Sequence, residues 1–425
     1  MRFICSTFGS AGDVFPMLGL ALKLKDRGHE VTFATNSQFA DVVTESGMAF
    51  EPLGSVEAFQ ATIRSPDLWH PQRGFRHIFG YLSPALRDQY ALHARWAGSS
   101  GVVGITNCFG FGALMAQEKL GVPVITLHLQ PAVLWSRFSP PTVPGVFGPR
   151  WLKTLLYAMG ERLVLDPVVC PFLNPWRAEI GLPPMKRITR WWNSPFGVLC
   201  MFPSWYAPPQ PDWPTNLMQT DFPLWNRRSD SAADDVLKRF LGAGDQPIVF
   251  TPGSANVHGR DFFHAAVGAC RMLNRRGVLL TEFSEQIPER LPESMLHCPY
   301  VPLDDLLPRS AAFVHHGGIG STSQAMLAGI PQVLMPLAHD QFDNADRVQR
   351  LGVGGTVASR GLTAAMLATA LRPLLETKAV INACHDVANR LAPRDGLQRS
   401  AVVIEDHVAR FEARDDCVVA HRARP

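Results

Sequence analysis

The stretch Ala311 to Arg347, AAFVHHGGIGSTSQAMLAGIPQVLMPLAHDQFDNADR, decides the architecture of this chain. Its opening run, Ala311–His315, reads as a buried strand, Thr322–Ala328 as a helix and Pro331–Met335 as a second strand. Strand, helix and strand at so short a spacing form a βαβ unit with parallel strands. Glycines 317, 318 and 320 fill the first strand-to-helix turn, with the helix predicted to start near Ser321. The polar pair Asp340-Gln341 follows the second strand. Ligands of open parallel sheets sit outside the carboxyl ends of the strands, so turn and pair share one crevice.

Working outward, the pattern repeats. Gln246–Phe250 and Gly277–Thr281 read as strands around a helix from Asp261 to Arg276. In the first half Arg2–Thr7 is a strand that breaks into Gly9-Ser-Ala-Gly12-Asp13. A helix follows and stops at Gly28, His29 closes it, and the next strand begins at Val31. Gly101–Thr106 and Val122–Leu127 add strands, with a helix from near Phe111 between them. The fold class is therefore α/β, with two doubly wound, Rossmann-like domains. Residues 1–225 form the expected first domain, 226–245 a linker that opens on the polar run Asn226–Asp235, and 246–395 the second domain. Residues 396–425 are a helix returning toward the first domain, and a tail.

Hydrophobic residues at 46% and charged residues at 18% place the chain among folded globular proteins. A net charge of +3 is too mild for a nucleic-acid partner. Eight cysteines are scattered without a CxxC or a zinc spacing, which favours reduced thiols and the cytoplasm. Only Arg2 precedes the first apolar run, and Gly9, Gly12 and Asp13 interrupt it, so no signal peptide is expected. No apolar run reaches the roughly 20 residues of a membrane span.

Glycines let a backbone approach phosphate oxygens, and the first amides of a helix point at them with a favourable dipole. His316 is placed to donate to the same oxygens, although a core histidine beside a plain turn would give the same residues. Asp340-Gln341 offers a carboxylate and an amide to hydroxyls. Upstream, Tyr300-Val301-Pro302 offers a ring and free backbone groups to a flat base. Base, diphosphate and hydroxyl-rich ring together describe a nucleotide-activated sugar. Asp13 opens a helix, where a carboxylate can serve as a cap or, facing the cleft, as a base. His128, ending a strand, either looks into that cleft or is a satisfied buried histidine.

These residues resemble the donor signature of the GT-B glycosyltransferases of the plant, antibiotic and sterol family (family 1). The matching positions are Tyr300 and Pro302, then His316, Gly318 and Ser321, then Gly329-Ile330-Pro331, and Asp340-Gln341 with Asn344-Ala345. The resemblance implies two domains facing across a cleft and a hexosyltransferase with a nucleotide-sugar donor. It implies that His316, Gly318, Gly320, Ser321 and Ser254 hold the diphosphate. Tyr300, Val301 and Gln324 would hold base and ribose, and Asp340 and Gln341 the sugar. Gly9-x-x-Gly12-Asp13-Val-x-Pro16 resembles the turn of bacterial and sterol members, with Asp13 as catalytic base and Gly12 and His128 on the acceptor side. Many members carry glutamate where Gln324 stands. Its loss suits a deoxyribose, hence a dTDP-linked donor.

One subgroup is especially similar, the rhamnosyltransferases of rhamnolipid synthesis, through Gly9–Pro16, Ser194–Pro203, Ala207–Pro214 and His339–Ala345. That similarity implies inverting transfer of L-rhamnose from dTDP-L-rhamnose to a hydroxy-fatty-acid dimer. No Asp-x-Asp occurs, so no metal and no cofactor are expected. The Pro/Trp-rich Trp135–Trp225 and the Trp151–Leu165 stretch would form a groove for a hydrophobic hydroxylated acceptor. A packed loop and an ordinary amphipathic helix are their alternatives. Contact with the inner membrane face and a protein supplying the acceptor are further expected partners. Rival readings are a UDP-glucose transferase acting on a sterol or polyketide, a non-catalytic nucleotide-sugar-binding partner and a nucleotide-sugar epimerase.

Overall fold

The computed structural model describes residues 1–69, 73–143, 146, 148–227, 233–392 and 394–422. In the first half the strands are β1 (Arg2–Ser6), β2 (Glu30–Thr35), β3 (Ala49–Pro52), β4 (Val102–Asn107), β5 (Val124–His128), β6 (Gly197–Cys200) and β7 (Leu217–Gln219). They form one sheet in the order β3-β2-β1-β4-β5-β6-β7. The second half contributes β8 (Ile248–Thr251), β9 (Gly277–Leu280), β10 (Met295–Cys298), β11 (Ala312–His315), β12 (Gln332–Leu334) and β13 (Gly354–Thr356). Their order is β10-β9-β8-β11-β12-β13.

All these pairings are parallel. Strands of that kind are covered by helices on both faces, which is why their sequences are nearly continuous apolar runs. The strand order reverses between β1 and β4 and between β8 and β11, creating a crevice at each point. Register aligns the turns that rim these crevices. Ser6 lies opposite Thr106, and His315 lies opposite both Thr251 and Leu334. The turns leaving β8, β11 and β12 therefore stand side by side.

A single buried cluster joins the halves. It runs from Phe3, Val14 and Leu18 to Leu334, Ala345 and Val348, and takes in Leu397, Ala401, Ile404 and Val408 of the terminal Gly396–Arg422 helix. Burying each of these larger aliphatic side chains stabilises the fold by roughly 1.5–3 kcal/mol. Polar contacts fix the same helix on the first half. Glu405 accepts from Arg27 at 2.6 and 2.7 Å and from His29 at 2.7 Å.

Two elements depart from the sequence reading. The helix after β11 is Ile319–Ala328, so it starts ahead of Ser321, with Gly318 as its N-cap. Within the expected linker 226–245, Ala233–Gly242 is a helix, and Leu237 belongs to the core of the second half. The linker's polar run falls partly on residues 228–232, outside the described residues. The cysteines whose side chains are described are all unpaired. Among the described residues no helix is long and apolar enough to cross a membrane.

Candidate active site

The first lip of the site is the turn after β1. Ser10 caps the Ala11–Asp26 helix in a capping box: its hydroxyl accepts from first-turn backbone, and Asp13 Oδ2 accepts from the Ser10 N–H at 3.0 Å. Asp13 is thus the third helical residue. Among the described residues its Oδ1 accepts no hydrogen bond. Gly9, at φ +128°, makes room for this carboxylate, since a Cβ there would stand 2.2 Å from Asp13 Oδ2. Gly12 is exposed beside it, its N–H donating to Ser10 Oγ. Burial in the crevice raises the Asp13 carboxyl to about 7, helped by the charge of Asp340 and opposed by Ser10. Asp13 retains some accessible surface, as expected of a group at the floor of an open crevice.

The second lip is the turn after β11. Its helix start has no side-chain cap at Gly318. The amides of Ile319, Gly320 and Ser321 open the helix, where backbone N–H groups have no intrahelical acceptor. His316 is wedged between glycines: a Cβ on Gly318 would lie 2.5 Å from its Nε2, and one on Gly253 would lie 2.8 Å from its Cε1. Burial lowers His316 to about 4, so the ring is neutral at neutral pH. Its buried Nδ1 has no partner among the described residues. The adjoining His315 is structural, bonded to Gln332 Oε1 at 2.9 Å and receiving the Gly317 N–H at 3.1 Å.

Asp340 ends the loop after β12 and precedes the Gln341–Arg350 helix. Burial raises it to about 6, against the pull of Asn344. Gln341 is largely committed to the protein: its Oε1 accepts from Leu337 at 2.7 Å and Ala338 at 3.1 Å, which leaves its Nε2 for a ligand. Ser254 is exposed on the turn after β8, beside this pair of loops.

Asn344 was legible as part of a motif but carried no role there. Fully buried, it donates to Gly317 O at 2.9 Å and Asp340 Oδ2 at 2.7 Å, and accepts from the Tyr206 hydroxyl at 3.0 Å. One side chain therefore fixes the glycine turn and the Asp340 carboxylate against the first half. Neighbouring Asp343 accepts from Thr142 N at 2.8 Å and from Arg347 at 2.7 Å, and Arg347 donates to Tyr206 O at 2.8 Å. Sequence spacing gave no sign of Tyr206 or Thr142, because their partners are more than a hundred residues away.

Other expected residues have particular surroundings. The Tyr300 hydroxyl donates to Arg227 O at 2.9 Å. Val301 places its side chain in the core, so only its backbone can meet a base. Gln324 is buried within the Ile319–Ala328 helix. His128, at the end of β5, bonds to Asn193 at 2.7 Å, and its buried Nδ1 lacks a partner among the described residues. Burial lowers it to about 4. Chemically the crevice offers a carboxylate near neutral pKa on one rim. The other rim offers open amides, a neutral imidazole and a second carboxylate.

Comparison with known proteins gives this arrangement a family. Residues 278–398 match the erythromycin biosynthesis protein CIII-like C-terminal domain, and residues 3–136 match the glycosyltransferase family 28 N-terminal domain. The glycosyltransferase GtfC of Amycolatopsis orientalis is 31% identical over 425 residues, spanning 96% of this chain and 98% of that protein. The solved glycotransferase of kitacinnamycin superposes with a TM-score of 0.73 at 21% identity, over 96% of this chain and 98% of its own. A spinosyn rhamnosyltransferase, SpnG, solved with thymidine diphosphate, gives a TM-score of 0.67 at 16% identity, over 95% and 100%. With its two parallel sheets and the crevice between their carboxyl edges, the chain belongs to the family 1 glycosyltransferases of GT-B fold, close to the antibiotic glycosyltransferases.

Proposed function

We propose that this enzyme is an inverting, metal-independent transferase that moves L-rhamnose from dTDP-L-rhamnose to a hydroxyl of a lipid-like acceptor such as a hydroxy-fatty-acid dimer. In this reading residues 1–225 bind the acceptor and residues 246–395 the donor. One observation carries it: Asn344 donates to the Asp340 carboxylate at 2.7 Å and accepts from Tyr206 of the first half at 3.0 Å, which sets Asp340 against the half that carries Asp13, whose carboxyl its charge helps to raise. A donor sugar held by Asp340 and Gln341 would then present its anomeric carbon to an acceptor beside Asp13. The acceptor oxygen gives its proton to Asp13 and bonds to that carbon. The bond from carbon to the diphosphate oxygen breaks, and inversion follows from attack opposite the leaving group. The negative charge on the departing diphosphate would meet His316, Gly318, the amides of Ile319, Gly320 and Ser321, and Ser254. Tyr300, the Val301 backbone and Gln324 would line the base and ribose, while Gly12 and His128 face the acceptor.

The dTDP assignment draws support from Gln324, a neutral group where a ribose-gripping carboxylate would serve a uridine donor. The thymidine diphosphate bound in SpnG agrees with it. The acceptor assignment draws on the rhamnolipid-type motifs and on an apolar stripe. Trp151, Leu155, Met159 and Leu163 are exposed at successive turns of the Trp151–Leu165 stretch, with Arg150, Lys153 and Arg162 among them. Such a surface suits peripheral contact with an anionic membrane that holds the acceptor. A second reading, transfer to a polyketide or peptide aglycone, has the antibiotic relatives behind it.

Calorimetric titration with dTDP- and UDP-sugars, followed by turnover on β-hydroxy fatty acids and on aglycones, decides among these readings. Tightest binding of dTDP-L-rhamnose with transfer to the hydroxy acid is expected. Tighter uridine binding would overturn the donor, and transfer to aglycones alone would overturn the acceptor.

A further inference from the structure

A cavity of about 390 Å³ opens in the first half between the Val56–Arg64 helix and the first turns of the Arg73–Ala94 helix. Its volume falls within the range of small-molecule sites. It is lined by Thr62, Asp67, Arg73, Arg76, His77 and Tyr81. Arg73 pairs with Asp67 at 3.2 Å, which balances one cation against the cavity's carboxylate. Arg76 pairs with no carboxylate among the described residues, so the lining keeps a net positive charge. His77 adds a buried Nε2 with no partner among the described residues. A buried, unpartnered nitrogen is costly unless something completes it.

The cavity stands on the reaction side of the sheet. Farther along the same helix, Gln89 bonds to Ser6 Oγ at 2.8 Å and Thr106 Oγ1 at 3.0 Å, at the carboxyl ends of β1 and β4. His93 then lies over Gly104, in mid-strand. The helix thus runs from the carboxyl edge back across the sheet. Arg76 stands about three and a half turns before Gln89 on this helix, beyond Pro84 and beyond Tyr81, in the direction of that edge. Asn36, just past β2, donates to the Tyr81 hydroxyl at 3.0 Å and anchors the cavity next to the strand that delivers Asp13. Tyr81 lines the cavity together with Ala58 and Gly80, and behind it Phe59 and Phe39 continue an edge-to-face row with centroids 6.2 and 5.7 Å apart.

We infer that this cavity binds the carboxylate of an amphiphilic hydroxy-acid acceptor, with Arg76 and His77 as its anion ligands. The inference rests on the lipid-acceptor reading above. An apolar chain would lie over Ala58, Gly80 and the Tyr81 ring, and the acid end would reach the charge that Asp67 leaves unbalanced. Specificity for a free acid over its ester would then reside far from the reacting hydroxyl.

The test is calorimetric binding of β-hydroxydecanoic acid and its methyl ester to the wild-type enzyme, Arg76→Gln and His77→Gln, alongside rhamnosyl transfer to both. Wild type should bind the acid at least about tenfold tighter than the ester, as for a charge-assisted contact. Arg76→Gln should lose that preference and His77→Gln reduce it, with ester affinity and melting temperature unchanged. Equal binding of acid and ester by wild type, or a preference that survives Arg76→Gln, overturns the inference. Selective acid binding without any sugar transfer would defeat the acceptor reading while leaving the anion site standing. Equal transfer to acid and ester, with no binding preference, would do the reverse.

Discussion

The turns after β1 and after β11 occupy equivalent places, each leading from a central strand into a helix at a point where strand order reverses. Their helix starts are finished in opposite ways. The first is closed by its own side chains, Ser10 and Asp13, so its amides are used and a carboxylate projects. The second has glycine at the cap, so its amides stay open and an anion is welcome. One topology thus yields a projecting carboxylate on one lip and open amides on the other. The chemical difference lies in which residue stands at the cap.

The sharpest way to break this contrast is Asp13→Asn, which keeps the cap acceptor and removes the base proposed above. Turnover should fall roughly a hundred- to ten-thousand-fold with donor affinity retained. Because Asp13 is raised to about 7, wild-type kcat/KM should climb with pH and level off above that value. Stability carries the opposite sign. The folded state holds this proton more tightly than the unfolded chain, so the contribution of Asp13 is fully present near pH 4 and is lost as pH rises through about 7. Asp13→Asn should therefore gain in melting temperature over wild type as pH rises across that window. Unchanged turnover would remove Asp13 from the chemistry.

A milder pair of substitutions asks whether each lip fails in its own way. Gly9→Ala would set a methyl 2.2 Å from Asp13 Oδ2, at a backbone angle that alanine resists, and should lower kcat about a hundredfold. Gly318→Ala would set one 2.5 Å from His316 Nε2, where the ring can shift, and should raise donor KM about tenfold. Steady-state kinetics with varied donor separate the two. If both variants lost only kcat, the division of labour between the lips would be wrong.

Most of the two-sheet plan was legible because parallel strands buried on both faces announce themselves as short apolar runs. The punctuating glycines mark where backbone must turn. The start of the Ile319–Ala328 helix was read too late, because three glycines in a row of four argue for a loop until a neighbouring strand fixes them. Gln341 was read as a sugar ligand, and its oxygen also closes the turn at Leu337 and Ala338, a local bond that spacing alone does not distinguish from a ligand contact. The ties of Tyr206 and Thr142 to the Gln341–Arg350 helix depend on how the halves dock, and no local pattern encodes them.

The smallest expected effect bears on whether the lips act together. Tyr206→Phe removes only the hydroxyl that donates to Asn344 Oδ1, in a site with no surface for water to replace it. Leaving that oxygen unsatisfied should cost about 1–3 kcal/mol of stability. The same Asn344 holds Gly317 and Asp340, so its displacement should also raise donor KM a few-fold, although Tyr206 belongs to the first half. Thermal unfolding measures the first and steady-state kinetics with varied donor the second. A lower melting temperature together with an unchanged donor KM would mean that Asn344 keeps its place through Gly317 and Asp340 alone. The crevice would then be two independent lips, with the catalytic alignment arising only when a bound donor draws them together.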